Sequence, residues 1–160
     1  MKKKILLAAG VGFLMGIMMT GIGIFTVMPS LMLVTHEAAQ GYDETITLLS
    51  EHIEQSGWNI SSVIEMNKSL AKHGVDFQPR VTLLKICHPD YARSILTTNR
   101  DVSVMMPCTF SIWENNDGKV YISGMNTGLM GKMFGGNVAH VMGGKVSRDE
   151  KQMLADLIKE

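Results

Sequence analysis

With 160 residues, the chain has room for one domain and no more. Its 15 basic and 15 acidic residues balance, and the chain beyond the lysines at positions 2–4 is slightly acidic. This balance gives no electrostatic basis for binding nucleic acid or a second membrane surface, so no nucleic-acid partner is expected.

The N-terminal segment is unusually apolar. From Ile5 to Met28 the sequence has no charged residue and no His, Asn or Gln. A helix of that length measures about 36 Å, enough to cross a hydrocarbon core of about 30 Å. A cleavable signal peptide has an apolar region of only about 7–15 residues. We therefore predict a transmembrane helix within residues 1–28, ended by Pro29, and an exterior domain over residues 29–160.

The charges that flank this segment predict its orientation. Lys2, Lys3 and Lys4 stand directly before the apolar run. Basic flanks are retained in the cytoplasm, so we expect the N-terminus inside and the domain outside. In a bacterium the domain would then be periplasmic.

Small residues recur at every fourth position of the apolar run, at Ala8, Gly12, Gly16 and Thr20. This spacing places them on one helix face, where a partner helix can approach closely. The alternative is that glycine and alanine are simply common in membrane helices. We predict a partner helix or a homodimer.

Beyond the apolar run, the hydrophobic pattern predicts alternating strands and helices. Residues 30–36 form a first strand or an extension of the membrane helix. Helices are predicted over 43–56, 69–72 and 89–96 and from Ser147, and strands over 58–66, 81–87, 102–113 and 119–123. Gly57 is expected to stop the first helix, and Asp117-Gly118 to turn the last hairpin. Ser147 to Glu150 matches a capping box, and the Gly- and Met-rich residues 124–144 receive no element. This order predicts an α+β fold, an antiparallel sheet with helices packed on one face.

Three short blocks carry a family resemblance. Gly57-Trp58, Ile86-Cys87-His88-Pro89 with Ala92 beyond it, and Pro107-Cys108 together resemble the domain of unknown function 302 family. The resemblance covers about residues 30–160. It implies a curved antiparallel sheet similar to the TATA-binding-protein type, often dimeric, and it implies no settled biochemical role. Here His88 replaces the Asn that commonly follows the first cysteine of the family, and the membrane anchor is not the family's basic form.

Cys87 and Cys108 are the only cysteines. In an oxidising compartment an even pair indicates a disulfide, whereas buried unreactive thiols or a redox or metal-linked pair remain alternatives. The resemblance argues against a purely structural bridge, because soluble relatives keep both positions. His88 adjoins Cys87 just before a helix N-terminus, a setting that stabilises a thiolate. The alternative is that His88 caps the helix or faces solvent.

Methionine is frequent in the second half of the chain, at positions 105, 106, 125, 130, 133 and 142. Thioether, thiolate and imidazole together suit Cu(I), which makes Met106 and His140 candidate metal ligands. The alternative is that these methionines fill the core. Because no compact ligand spacing appears, the cofactor stays unknown.

No nucleotide-binding or hydrolase motif is present, which argues against an enzyme. The predicted function is a membrane-anchored binding or interaction module within a membrane-associated assembly. The alternative is a thiol- or metal-linked redox protein that uses Cys87, Cys108 and His88.

Overall fold

The computed structural model describes residues 2–159, apart from the side chains at positions 2–9, 11 and 29. The chain divides into two compact units, Met1–Met32 and Leu33–Glu160.

The first unit is the helix α1, Lys2–Met32. The helix continues past position 29, so the predicted end at Pro29 is wrong. The alternative of a helix extension holds for residues 30–32, and the alternative of a first strand holds from Leu33. Proline removes one backbone donor from the ladder, but the residues after it can still adopt helical geometry. Within the described part of the chain, no helix combines the length and apolarity that a membrane crossing requires.

The second unit contains a five-stranded antiparallel sheet with helices, which confirms the predicted α+β class. Its strands are β1 Leu33–Glu37, β2 Asn59–Glu65, β3 Val81–Cys87, β4 Cys108–Glu114 and β5 Val120–Met125, in the spatial order β1-β5-β4-β3-β2. Strand β3 has the predicted bounds. Strand β4 begins later than predicted, because Arg100–Met105 form a 3-10 helix.

Six helices accompany the sheet in the described residues. They are α2 Tyr42–Gln55, α3 Met66–Ala71, α4 Pro89–Thr98, α5 Thr127–Phe134, α6 Gly136–His140 and α7 Ser147–Leu154, with a π-helical turn at Val141–Val146. Gly57 ends α2 as predicted, with a positive φ of 79°. The Gly57 N–H donates to the Glu54 carbonyl, and the Trp58 N–H donates to the Ile53 carbonyl. Gly118, with φ 76°, likewise turns the β4–β5 hairpin.

Two sequence expectations fail in the last third of the chain. Residues 124–144 received no predicted element but are largely helical, in α5, α6 and the start of the π-helical turn. The capping box at Ser147 is wrong, because Val146 is already helical and Ser147 makes no cap. A helix that continues directly from a preceding helical turn has its first N–H groups already bonded, so it needs no side-chain cap.

One face of the sheet is buried and forms the core. Side chains alternate along a strand, and Leu84 and Ile86 of β3 and Phe110 and Ile112 of β4 all point to this covered face. Leu49, Ile53 and Met153 from the helices complete the core. Cys108 shares the covered face because it precedes Phe110 by two residues.

Close backbone packing requires a glycine at one point of residues 124–144. A Cβ added to Gly131 of α5 would overlap the backbone of Gly143, with the Gly143 Cα 2.8 Å away. Only glycine allows α5 and the π-helical turn to approach this closely.

We predict that Gly131→Ala lowers the free energy of unfolding by about 1–3 kcal/mol or more, because backbone atoms must shift to admit the methyl group. Gly144→Ala is the matched control, since a Cβ there meets nothing within 4 Å. Urea unfolding of the full chain, followed by fluorescence of Trp58 and Trp113, measures both. Equal stability of the two variants would contradict this packing.

Candidate functional site: a cavity at the cysteine pair

The pairing of β3 with β4 brings the two cysteines to one end of the sheet. Ile86 lies opposite Cys108 in the register, so Cys87, the last residue of β3, adjoins the first residue of β4. Both thiols are free and partly exposed, and they are not bridged.

A cavity of about 30 Å³ lies at this point. Its lining includes Cys87, His88, Met106 and Cys108, together with the rings of Trp58 and Tyr91. The structure thus gathers the three predicted site residues and one of the two metal candidates. A space of this size holds one water molecule or one ion.

Aromatic rings fix the position of His88. Its imidazole stacks on the Tyr91 ring, with the ring centroids 3.9 Å apart and an interplanar angle of 10°. The centroid of the Trp58 ring lies 5.6 Å from that of the imidazole, in a T-shaped arrangement. His88 occupies the N-cap position of α4, yet its side chain makes no cap hydrogen bond. Its Nδ1 atom is buried and has no hydrogen-bond partner. The capping alternative therefore does not describe this side chain.

The π-helical turn and α7 contribute charged groups beside the aromatic rings. The Trp58 Nε1–H donates to Asp149 Oδ2 at 3.1 Å. Burial, reinforced by the Asp149 carboxylate, raises the pKa of Tyr91. The Lys145 ammonium lies 5.5 Å from the centre of the Tyr91 ring, within cation–π distance.

The thiol of Cys108 has a strongly raised pKa. Burial, and then the nearby charges of Glu150 and Cys87, raise the pKa of Cys108 to about 12. At neutral pH the Cys108 sulfur is therefore a protonated thiol.

Glu150 is a chemically distinctive residue that the sequence analysis missed. Burial, with a smaller contribution from Asp149, raises the pKa of Glu150 to about 7, although the Thr127 hydroxyl donates to its Oε2 atom at 2.5 Å. It lines a second cavity of about 120 Å³, beside His36 and Phe110. Its sequence position resembled an exposed cap residue, so no sequence signal pointed to its burial.

The other predicted site residues lie elsewhere. His140 is exposed at the end of α6 and does not line the cysteine cavity. Gly12, Gly16 and Thr20 line a shallow groove along α1, whereas the Ala8 side chain is outside the described residues. Among the residues described, no three His, Cys, Asp or Glu side chains form a group that could hold a metal ion.

A larger cleft of the second unit, about 460 Å³, is at a different place, around Arg80. The Arg80 guanidinium pairs with Glu114 at 2.9 Å and with Asp43 at 3.1 Å, and it lies 4.1 Å over the Tyr42 ring. These contacts neutralise the cation within the protein. The cysteine cavity, with its two thiols and one imidazole, is therefore the candidate functional site.

We predict that Glu150 makes stability fall as pH rises from about 4.5 to about 7. Over that range the carboxyl keeps its proton in the folded state but loses it in the unfolded state. Glu150→Gln removes this pH-dependent loss of stability. Relative to the wild type, its free energy of unfolding should therefore rise by up to about 3 kcal/mol between about pH 4 and pH 8.

Urea unfolding across this pH range measures the effect, with Glu44→Gln on the exposed part of α2 as control. A wild type and a Glu150→Gln variant with parallel pH profiles would show that Glu150 ionises normally.

Comparison with known proteins identifies the family. None of the curated proteins matches this chain. A crystal structure of an uncharacterized conserved DUF302 protein from Bacillus stearothermophilus is similar, with a TM-score of 0.70 and 21% identity over 79% of this chain and 98% of that one. The family model described as "Domain of unknown function DUF302" matches residues 34–159. The chain belongs to the DUF302 family.

Proposed function

We propose that this protein is a membrane-anchored binding module whose DUF302 domain lies outside the cytoplasm, in the periplasm of a bacterium. Its ligand site is the cavity at Cys87 and Cys108. The observation that carries this proposal is the meeting of Cys87, His88 and Cys108 at a single small cavity.

The anchor is supported by the sequence and by the exposure of α1. The run from Ile5 to Met28 is uncharged, and Lys2, Lys3 and Lys4 precede it. Large apolar side chains along the described part of α1 are exposed, including Phe13 at 70% and Phe25 at 84%. In lipid, such an apolar surface is removed from water, which lowers its free energy.

The proposed partner of α1 is a second copy of the same helix. Gly12 and Gly16 line the groove on α1, and a Cβ at either position would meet nothing within 4 Å. Small residues at this spacing let two helices pack backbone to backbone. The proposal therefore includes a homodimer formed through the anchor.

We predict that the full chain stays with the membrane after alkaline carbonate washing, and that protease added outside intact cells removes its C-terminal domain. The double variant Met15→Lys/Met18→Lys should be released, because each central lysine costs roughly 2.5–3.5 kcal/mol in a membrane helix. Val75→Lys/Val104→Lys, at exposed positions of the domain, is the control with the same added charge.

Wild-type protein that remains in the aqueous phase without detergent would contradict the anchor. Cross-linking of the same material in membranes tests the dimer: Gly16→Ile should abolish it, whereas Gly10→Ile, on another face of α1, should not. A monomeric wild type would contradict the dimer alone.

A second candidate function is thiol–disulfide exchange. It is favoured by the presence of two unbridged cysteines at one cavity, with the thiol of Cys108 half-buried and protonated. The Cys87 thiolate would attack a small disulfide and release one thiolate, forming a mixed disulfide. Cys108 would then lose its proton and attack the Cys87 sulfur, releasing the second thiolate. The protein dithiol is oxidised, and the small disulfide is reduced to two thiols.

We predict that oxidised glutathione converts the full chain to an internal Cys87–Cys108 disulfide. Cys108→Ser should accumulate the mixed disulfide on Cys87, because the resolving thiol is missing, and Cys87→Ser should react far more slowly. Intact mass spectrometry distinguishes these products, with His140→Asn as control. Glutathione attached equally to both single variants, or no reaction of the wild type, would eliminate this candidate.

A further inference from the structure

The cavity that Glu150 lines lies under the covered face of the sheet, apart from the cysteine pair. Val34 and His36 of β1 pair with Gly124 and Ile122 of β5, and Gly124 also pairs with Phe110 of β4. Residues that pair directly share one face of a sheet, so these five positions form one side of the cavity. The other side comes from α5 and α7, through Thr127, Ser147, Glu150 and Leu154.

The volume of this Glu150 cavity, about 120 Å³, suits a small organic molecule. For comparison, a protein cavity of about 150 Å³ accommodates benzene. Gly124 keeps part of the space open, because a Cβ there would lie 3.4 Å from Cδ1 of the Phe110 ring. A ligand of this cavity would therefore have about two to four carbon atoms and one polar group.

The carboxyl group of Glu150 lacks an acceptor for its proton. Its Oε2 atom accepts a hydrogen bond from the Thr127 hydroxyl at 2.5 Å, whereas among the described residues its Oε1 atom has no hydrogen-bond partner. Burial raises the pKa of Glu150 to about 7, so below neutral pH the carboxyl is protonated. Because Oε2 already accepts from Thr127, the proton is left to Oε1, where it can be donated to a ligand.

The other polar groups of the cavity also favour a ligand that accepts hydrogen bonds. His36 and Ser147 can donate from a ring nitrogen and a hydroxyl, and Lys151 adds an exposed positive charge. Among the described residues, Glu150 is the only acidic side chain that lines the cavity. This combination attracts an anion, and the ammonium of Lys151 would repel a cation. The remaining lining is apolar and includes Val34, Phe110, Ile122 and Leu154.

We infer that the Glu150 cavity binds a short-chain monocarboxylate, whose carboxylate accepts the hydrogen bond of Glu150 and whose alkyl chain packs against Phe110 and Ile122. Binding is noncovalent, and one proton is shared between the two carboxyl groups. The residues that line this cavity do not line the cysteine cavity. The inference is therefore independent of the proposed function.

This mode of binding requires the proton on Glu150, which fixes the sign of its pH dependence. Affinity should be nearly constant below pH 6 and about 10-fold weaker at pH 8, because the proton is lost as pH rises through 7. The other titratable groups around Glu150 are His36 and Lys151, which line the cavity, and Asp149 and Cys108, which interact with it electrostatically. Glu150→Gln separates the contribution of Glu150 from theirs, since the amide still donates a hydrogen bond but does not titrate.

The test is saturation-transfer NMR of sodium butyrate with the full chain in deuterated detergent micelles, corrected with protein-free micelles. We expect saturable binding at pH 6 that is about 10-fold weaker at pH 8. Glu150→Gln should retain binding and remove most of this pH dependence, whereas Glu44→Gln, on the exposed part of α2, should keep it. Butylamine, which has the same chain and the opposite charge, should bind much more weakly than butyrate.

Gly124→Ala tests the location of the ligand, because its methyl group would occupy part of the cavity. It should weaken butyrate binding by about 10-fold. Gly144→Ala, where a Cβ meets nothing within 4 Å, is the matched control and should not change it. Cys87→Ser should also leave butyrate binding unchanged.

Three results would overturn the inference. They are a wild type that does not bind butyrate at pH 6, butylamine binding as tight as that of butyrate, and a pH dependence that Glu150→Gln retains. Loss of binding in Cys87→Ser but not in Gly124→Ala would place the ligand in the cysteine cavity and would also overturn it. If Gly124→Ala does not fold, the comparison of wild type with Glu150→Gln still decides.

Discussion

The register of β3 against β4 is the constraint on which the site depends. Because Ile86 pairs with Cys108, the end of one strand and the start of its neighbour place two cysteines at one corner of the sheet. A shift of one residue would turn Cys108 away from the covered face and would also expose Phe110 and Ile112. The core therefore enforces the position of Cys108: burial of Leu84, Ile86 and Ile112 excludes the registers that would turn Cys108 out of the covered face.

Burial also decides the chemistry at this corner. Cys108 lies on the covered face, which keeps its thiol protonated, and Glu150 retains its proton to about neutral pH for the same reason. The π-helical turn contributes Met142 and Val146 to the wall around Cys108, and it packs closely on α5 where Gly131 approaches Gly143. A ligand that bonds to the Cys108 sulfur must displace the bound proton of this thiol.

The sequence was informative where a residue acts locally. Strand β3, the stop at Gly57, the turn at Gly118 and the start of α4 at Pro89 follow from periodicity and turn chemistry, and the α+β class follows from their order. It failed where burial depends on distant segments. Ser147 resembles a cap, but a preceding helical turn already occupies that position. Glu150 contacts Thr127, which lies 23 residues earlier in the chain. For the site, Cys87, His88 and Cys108 were identifiable by residue type and resemblance. The aromatic wall of Trp58 and Tyr91 required the three-dimensional structure.

The central claim is that Cys87 and Cys108 are close enough to act together, and a trivalent organic arsenical tests it most directly. Such a reagent binds tightly only when two thiols on one protein can bond to the same arsenic atom. The account predicts that the reduced full chain binds one phenylarsine oxide, and that Cys87→Ser and Cys108→Ser each lose this binding while His140→Asn keeps it. A wild type that binds the arsenical no better than its single-cysteine variants would contradict the account.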